Sequence, residues 1–141
     1  MPSPMPPAVR AAFEAELRQA RTATDLDTMW TALERAHILS QSWAWPHTRA
    51  HWHMFVLALK CRDRREAWGQ VIRLLVGGPG SLMGRAPEGN TGRTRVGLMT
   101  VMPVPDDLAA ILAAGSPRSA GTAGERGVRT PSTGAVERLT P

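Results

Sequence analysis

Residues 34–51 read ERAHILSQSWAWPHTRAH. Its centre, QSWAWP at 41–46, interrupts two stretches of helical apolar spacing, and Pro46 suits the first turn of a helix, where a missing N–H costs nothing. The segment is therefore a corner, with residues 25–40 and 46–61 as antiparallel helices. Folding them about Trp43 and Ala44 sets His37 opposite Ala50, between His47 and His51. Glu34 lies one turn back on the side of His37, since i and i+3 share a helix face. Three imidazoles and a carboxylate converging in this way are donors that a borderline transition-metal ion takes. Glu-x-x-His is also the unit that di-metal carboxylate bundles use.

Working outward, residues 8–22 carry Val9, Phe13, Leu17 and Ala20 at helical spacing, with prolines just before them as start signals. Thr24 or Asp25 caps the second helix, whose apolar stripe is Leu26, Met29, Trp30, Leu33 and His37. The third carries His47, Ala50, His51, Met54, Ala58 and Cys61 on one stripe and Trp52, Val56 and Leu59 on another, the pattern of a central helix. Asp63 caps a fourth, in which Trp68, Val71, Ile72 and Leu75 are expected to face inward until Gly77 stops it. Asp25, Trp30, Leu33 and Arg35 recur 38 residues later as Asp63, Trp68, Val71 and Arg73. Two helical hairpins related like this are tetratricopeptide-like, and two copies make an all-α, compact four-helix bundle. The five tryptophans, Trp30, Trp43, Trp45, Trp52 and Trp68, are expected as core and turn packing.

Beyond Gly77, glycine and proline punctuate the chain too often for a helix, so a loop should wrap the bundle, with Val96 to Val101 extended. Its GNTG turn at 89–92 offers backbone N–H groups to an anion, a weak signal that a plain turn explains better. Asp106 or Asp107 caps a short C-terminal helix reaching Ala113. From Gly115 onward Ser, Gly, Thr, Pro and Arg predominate, too few apolar groups to offset ordering entropy. The organisation expected is a flexible N-terminus (1–7), one helical domain (8–114) and a disordered tail (115–141).

With 141 residues and 43% hydrophobic composition the chain can bury one real core. The single cysteine, Cys61, precludes an intrachain disulfide framework, and MPSPMPP lacks the layout of a secretory signal. The cytoplasm is the expected compartment. Arg73 and then GGPG at 77–80 break the longest apolar run, so no membrane partner is expected. Of the net charge of +5, the segment from Ser116 contributes four arginines against two glutamates, and the rest is spread thinly. No dense basic run or aromatic-basic motif argues for nucleic acid. No nucleophile motif, phosphate loop or dinucleotide fingerprint is present, so an enzyme is the less favoured reading.

Several blocks carry a family likeness: LERAHIL with a glutamine close behind, PHTRAHWHM, RDRREAWGQ, GSLMGRAPEGNTG and MPVPDDLAAIL. Over Phe13 to about Leu112 they resemble an uncharacterised bacterial family, domain of unknown function 3703. The resemblance implies no activity, and its one functional hint is an association with metal resistance. His37, His47 and His51 fall on the family's recurring histidine positions, and Glu34 belongs to the same block. His53 and the tail beyond Ala114 lie outside that pattern.

The leading functional expectation is thus a non-enzymatic protein binding a divalent transition metal (Zn, Cu, Ni or Co) through Glu34, His37, His47 and His51, in metal homeostasis or resistance. Met54 and Cys61 would favour cuprous copper if they reached the site, but Cys61 is 14 residues beyond His47, about 21 Å along a helix. The alternative is a helical module binding a protein partner, its histidines forming a structural hydrogen-bond network with Glu34, Ser40, Gln41 or water. Haem or metal-free catalysis ranks behind both.

Overall fold

Residues 4–82, 89–97 and 100–115 are described by the computed structural model, the side chains of 76–82 excepted. Within them lie five helices and no strand: α1 (Pro7–Thr22), α2 (Leu26–Ser40), α3 (Ala44–Lys60), α4 (Arg64–Leu82) and α5 (Asp106–Gly115). The expected disordered tail falls outside the described residues, apart from Gly115 at the end of α5, as does the loop over 83–88.

Local chemistry sets the helix starts. Pro7 opens α1, and the Asp25 and Asp63 carboxylates accept the backbone N–H of Thr28 at 2.7 Å and of Glu66 at 2.9 Å, taking up donors that an uncapped first turn leaves orphaned. Between α3 and α4 the chain reverses within three residues. Arg62 adopts a left-handed φ of 55°, and the Asp63 N–H reaches back to the Ala58 carbonyl at 2.9 Å.

Val9, Phe13 and Leu17 line the buried side of α1 and pack with Trp30, Leu33 and Leu39 of α2 and Met54 of α3. Met5, which lies before the domain boundary expected from sequence, belongs to this core. α5 seals α1 and α2 with the fully buried Leu108. Arg35 ties the three together by bonding Glu16 at 2.6 Å and Asp107 at 2.5 Å.

The structure corrects the expectations for α4. The helix does not stop at Gly77 but runs through GGPG to Leu82, since glycine and proline weaken a helix without forbidding it. Its inward face is Glu66, Ala67, Gln70 and Arg73, while Trp68, Ile72 and Leu75 face outward. The tryptophans follow suit. Trp30 is buried and Trp43 packs at the edge of the core, but Trp45, Trp52 and Trp68 are exposed. The inward side of α4 is reserved for a polar cluster.

Candidate functional site

His37 is on α2, and His47 and His51 are one turn apart on α3. The corner at 41–43 brings the two helices together so that all three imidazoles meet beneath it. The Nε2 atom of His51 lies 3.2 Å from Nε2 of His37 and 3.0 Å from Nε2 of His47. The rings are 3%, 6% and 4% exposed for His37, His47 and His51.

The outer nitrogens are held by acceptors. His37 Nδ1 lies 2.7 Å from the Asn90 carbonyl oxygen, which can only accept, so Nδ1 carries the proton. His51 Nδ1 lies 2.7 Å from Gln70 Oε1. The Gln70 amide has one sensible orientation, because its Nε2 donates at 2.8 Å to both the Glu66 carboxylate and the Gly92 carbonyl. His51 is therefore also the Nδ1–H tautomer. His47 bonds the Gln41 backbone. This is the arrangement that orients metal-binding histidines: one nitrogen anchored by a carbonyl or amide oxygen, the other presented inward.

Residues 89–97 form a wall of the site. Asn90 gives its carbonyl to His37 and to Gln41 Nε2 at 3.0 Å, and its side chain braces the loop by donating to the Gly97 and Thr100 carbonyls. Gly92 has φ +78°, and a Cβ there would stand 2.7 Å from the His37 ring, so this position excludes a side chain on two grounds. Arg73 reaches from α4 to the carbonyls of Arg93 at 2.7 Å and Val96 at 2.6 Å, and Thr94 N–H donates to Glu66 at 3.0 Å. Of the stretch from Val96 to Val101, expected to be extended, 98–99 lie outside the described residues; Val96 N–H bonds Arg93 O and Thr100 N–H bonds Gly97 O, both at 3.0 Å. GNTG thus serves the histidines with its carbonyls.

Burial dominates the electrostatics. It drives the pKa of His37 far below the ordinary value, that of His51 down to about 3 and that of His47 downward. The neighbouring imidazoles push His37 and His51 further, and Arg73 adds to both. The cluster is accordingly neutral at physiological pH, the state in which imidazole nitrogens coordinate metals.

Of the sequence-derived site residues, the fold brings together His37, His47 and His51, whose ligand atoms all lie within 4.8 Å of one another. Glu34 is not among them. Its carboxylate faces a cleft beside Trp30, where Arg93 Nη1 is 3.4 Å and Arg95 Nη2 3.7 Å away, and burial raises its pKa despite these two cations. One helical turn separates Glu34 from His37, and the loop arginines occupy it there. His53 is outside the group, its pKa lowered by burial and by the charges of Arg21 and Arg49, and Cys61 is exposed at the end of α3. Sequence reasoning missed Glu66, Gln70 and Asn90. The i, i+4 pair Glu66–Gln70 was visible in RDRREAWGQ, but only the fold shows that it faces a histidine.

A family profile described as protein of unknown function (DUF3703) matches residues 7–112, most of the chain and all of the elements that build the site. The chain belongs to that family. No curated protein and no solved structure matches it.

Proposed function

We propose that this member of the DUF3703 family binds one transition-metal ion through the Nε2 atoms of His37, His47 and His51. The observation that carries the reading is the pairing of His37 and His51. Both are neutral and both hold their proton on Nδ1, so the two Nε2 atoms meet at 3.2 Å as lone pair against lone pair. In a structural network His47 could donate across the 3.0 Å contact to His51 only by giving up its bond to the Gln41 backbone, and the 3.2 Å contact would still lack a proton. A cation among the three satisfies both. The separations also suit one, because two nitrogens bound tetrahedrally at 2.0–2.1 Å stand about 3.3 Å apart.

Three neutral imidazoles suit Zn(II), Cu(II), Ni(II) or Co(II). Among the described residues no fourth His, Cys, Asp or Glu joins the group, so the remaining coordination position falls to solvent or a delivered ligand. We leave Glu34 outside the ligand set. Glu34 and Glu66, the carboxylates closest in the network, are both paired with Arg93, which favours holding the ion over a general-base role. Metal homeostasis or resistance is the setting in which such binding makes sense.

Calorimetric titration of Zn(II), Cu(II) and Ni(II) into chelator-treated protein tests the reading. One ion per chain, with binding abolished by His37→Ala, is the expected result. Uptake no tighter than that of a surface histidine pair, for all three ions, would sink it.

A further inference from the structure

The outward face of the α3–α4 hairpin has no part in the histidine site, and it carries an apolar surface that the fold leaves uncovered. On α3, Trp52 and Leu59 lie i, i+7 on one row. On α4, Trp68, Ile72 and Leu75 lie i, i+4, i+7 on another. Trp52 is 54% exposed, Trp68 67% and Leu75 72%. Phe55, its ring centroid 5.6 Å from that of Trp52 and tilted by 39°, joins this row to the core. Because α3 and α4 are joined by a tight reversal and pack on one another, one hairpin carries both rows.

We infer that this face is a self-association surface, on which two copies of the chain pack their α3–α4 hairpins antiparallel about a two-fold axis. Two arguments choose a second copy. The first is area. The five residues of the two rows offer roughly 600 Å² of apolar surface per copy, near the ~800 Å² per partner of a stable complex once their neighbours are included. Monomers seldom leave a continuous patch of that size bare. Two adjacent antiparallel helices with i, i+4, i+7 rows also form half of a four-helix interface, self-complementary under a two-fold rotation.

The second argument is charge. The middle of the patch is neutral, and its basic groups sit at one end, where Lys60, Arg62, Arg64 and Arg65 surround the turn with Asp63 as the sole acid. A two-fold axis parallel to the helices would set these clusters against each other. An axis perpendicular to them, level with the middle of the two rows, separates the turns by on the order of 20 Å, beyond the ~8 Å screening length. It also places the Leu59 end of one copy against the Leu75 end of the other. A surface built for anionic lipid would instead distribute its basic residues along the edges of the apolar rows.

Sedimentation velocity on the full chain at micromolar concentrations should give a species of twice the chain mass. Trp68→Asp and Leu75→Asp should each sediment as monomers with unchanged far-ultraviolet dichroism, since both side chains are already in water. Should either fail to fold, Leu59→Glu reads the same surface from α3. In the antiparallel pair the two Cys61 residues are far outside the ~7 Å Cα separation that a disulfide allows. Oxidation should therefore not link the dimer. A wild-type monomer at every concentration, or a dimer that survives these substitutions, overturns the inference. So does a dimer linked through Cys61, which requires the parallel arrangement. A monomer that binds phosphatidylglycerol vesicles and loses this with Trp68→Asp assigns the face to a membrane surface instead.

Discussion

The second helices of this protein's two hairpins start alike and face opposite ways. α2 and α4 each begin with an aspartate accepting the N–H three residues on, and each carries a tryptophan five residues after that cap. Trp30 is buried under the Arg93 guanidinium, 3.7 Å from its ring centroid, whereas Trp68 stands in solvent. In the first hairpin the apolar stripes meet and make the core. In the second, Glu66, Gln70 and Arg73 take the inner face of α4, and its large apolar side chains are turned out. The difference shows what a buried polar site demands. Donors and acceptors beside His51 must be matched from within the fold, and the helix rotates to supply them.

The sharpest way to separate the halves is to empty one core. Phe13 is 1% exposed among Leu17, Leu33 and Met54, so Phe13→Ala should cost about 3–5 kcal/mol of stability. That loss should be the same with chelator and with saturating metal, read by urea denaturation, because the side chain touches no part of the histidine network. A cost that shrinks when metal is added would mean that the halves are not independent.

Gln70→Ala addresses the other interior. It leaves the His51 Nδ1–H, the Gly92 carbonyl and one Glu66 contact without their partner, at about 1–3 kcal/mol. It also frees the tautomer of His51, so metal affinity should fall by about 10–100-fold. Equal affinity in wild type and variant, measured calorimetrically, would show that Gln70 only packs.

The first hairpin was legible in the sequence almost to the residue, because Val9, Phe13, Leu17, Trp30 and Leu33 repeat at helical spacing and face a common core. So was the meeting of His37, His47 and His51, which depends only on two helix registers and one turn. The orientation of α4 was not. Periodicity reports that Trp68, Ile72 and Leu75 share a face, but which face is buried depends on what the neighbours require, and the requirement came from His51. Glu34 was misplaced for a related reason: it shares a helix side with His37, yet Arg93 and Arg95 arrive from 59 and more residues away to claim it.

Acid should distinguish the halves as well. His37, His47 and His51 are held below the ordinary ~6.5, so as pH falls through that value the unfolded chain binds protons that the folded metal-free protein refuses. Stability is complete above ~6.5 and declines as pH drops toward about 3, where His51 itself titrates. Glu14, lowered by Arg49, acts with the same sign but only below ~4.5, and Glu34, raised by burial, offsets part of the loss. Between pH 6.5 and 5 the decline therefore belongs to the buried histidines of α2 and α3, with His53, also lowered by burial, adding to it, at up to roughly 1 kcal/mol per pH unit per histidine. Urea midpoints in chelator that stay flat over this range would show that the imidazoles are not shielded.

The finest division runs along α3 itself, which serves both halves. His51 bonds Gln70, while His53, two residues on, feels the charges of Arg21, Arg49 and Glu14. Rotation of about 200° between them puts His53 beyond reach of the Nε2 cluster. Removing its ring takes away no resolved hydrogen bond of the site, so His53→Ala should change stability by no more than about 0.5 kcal/mol and leave metal uptake at one ion per chain. His51→Ala, in the same helix, should abolish uptake. Comparable losses from the two substitutions would place α3 in a different register, and with it would fall the assignment of His47 and His51, rather than His53, to the metal.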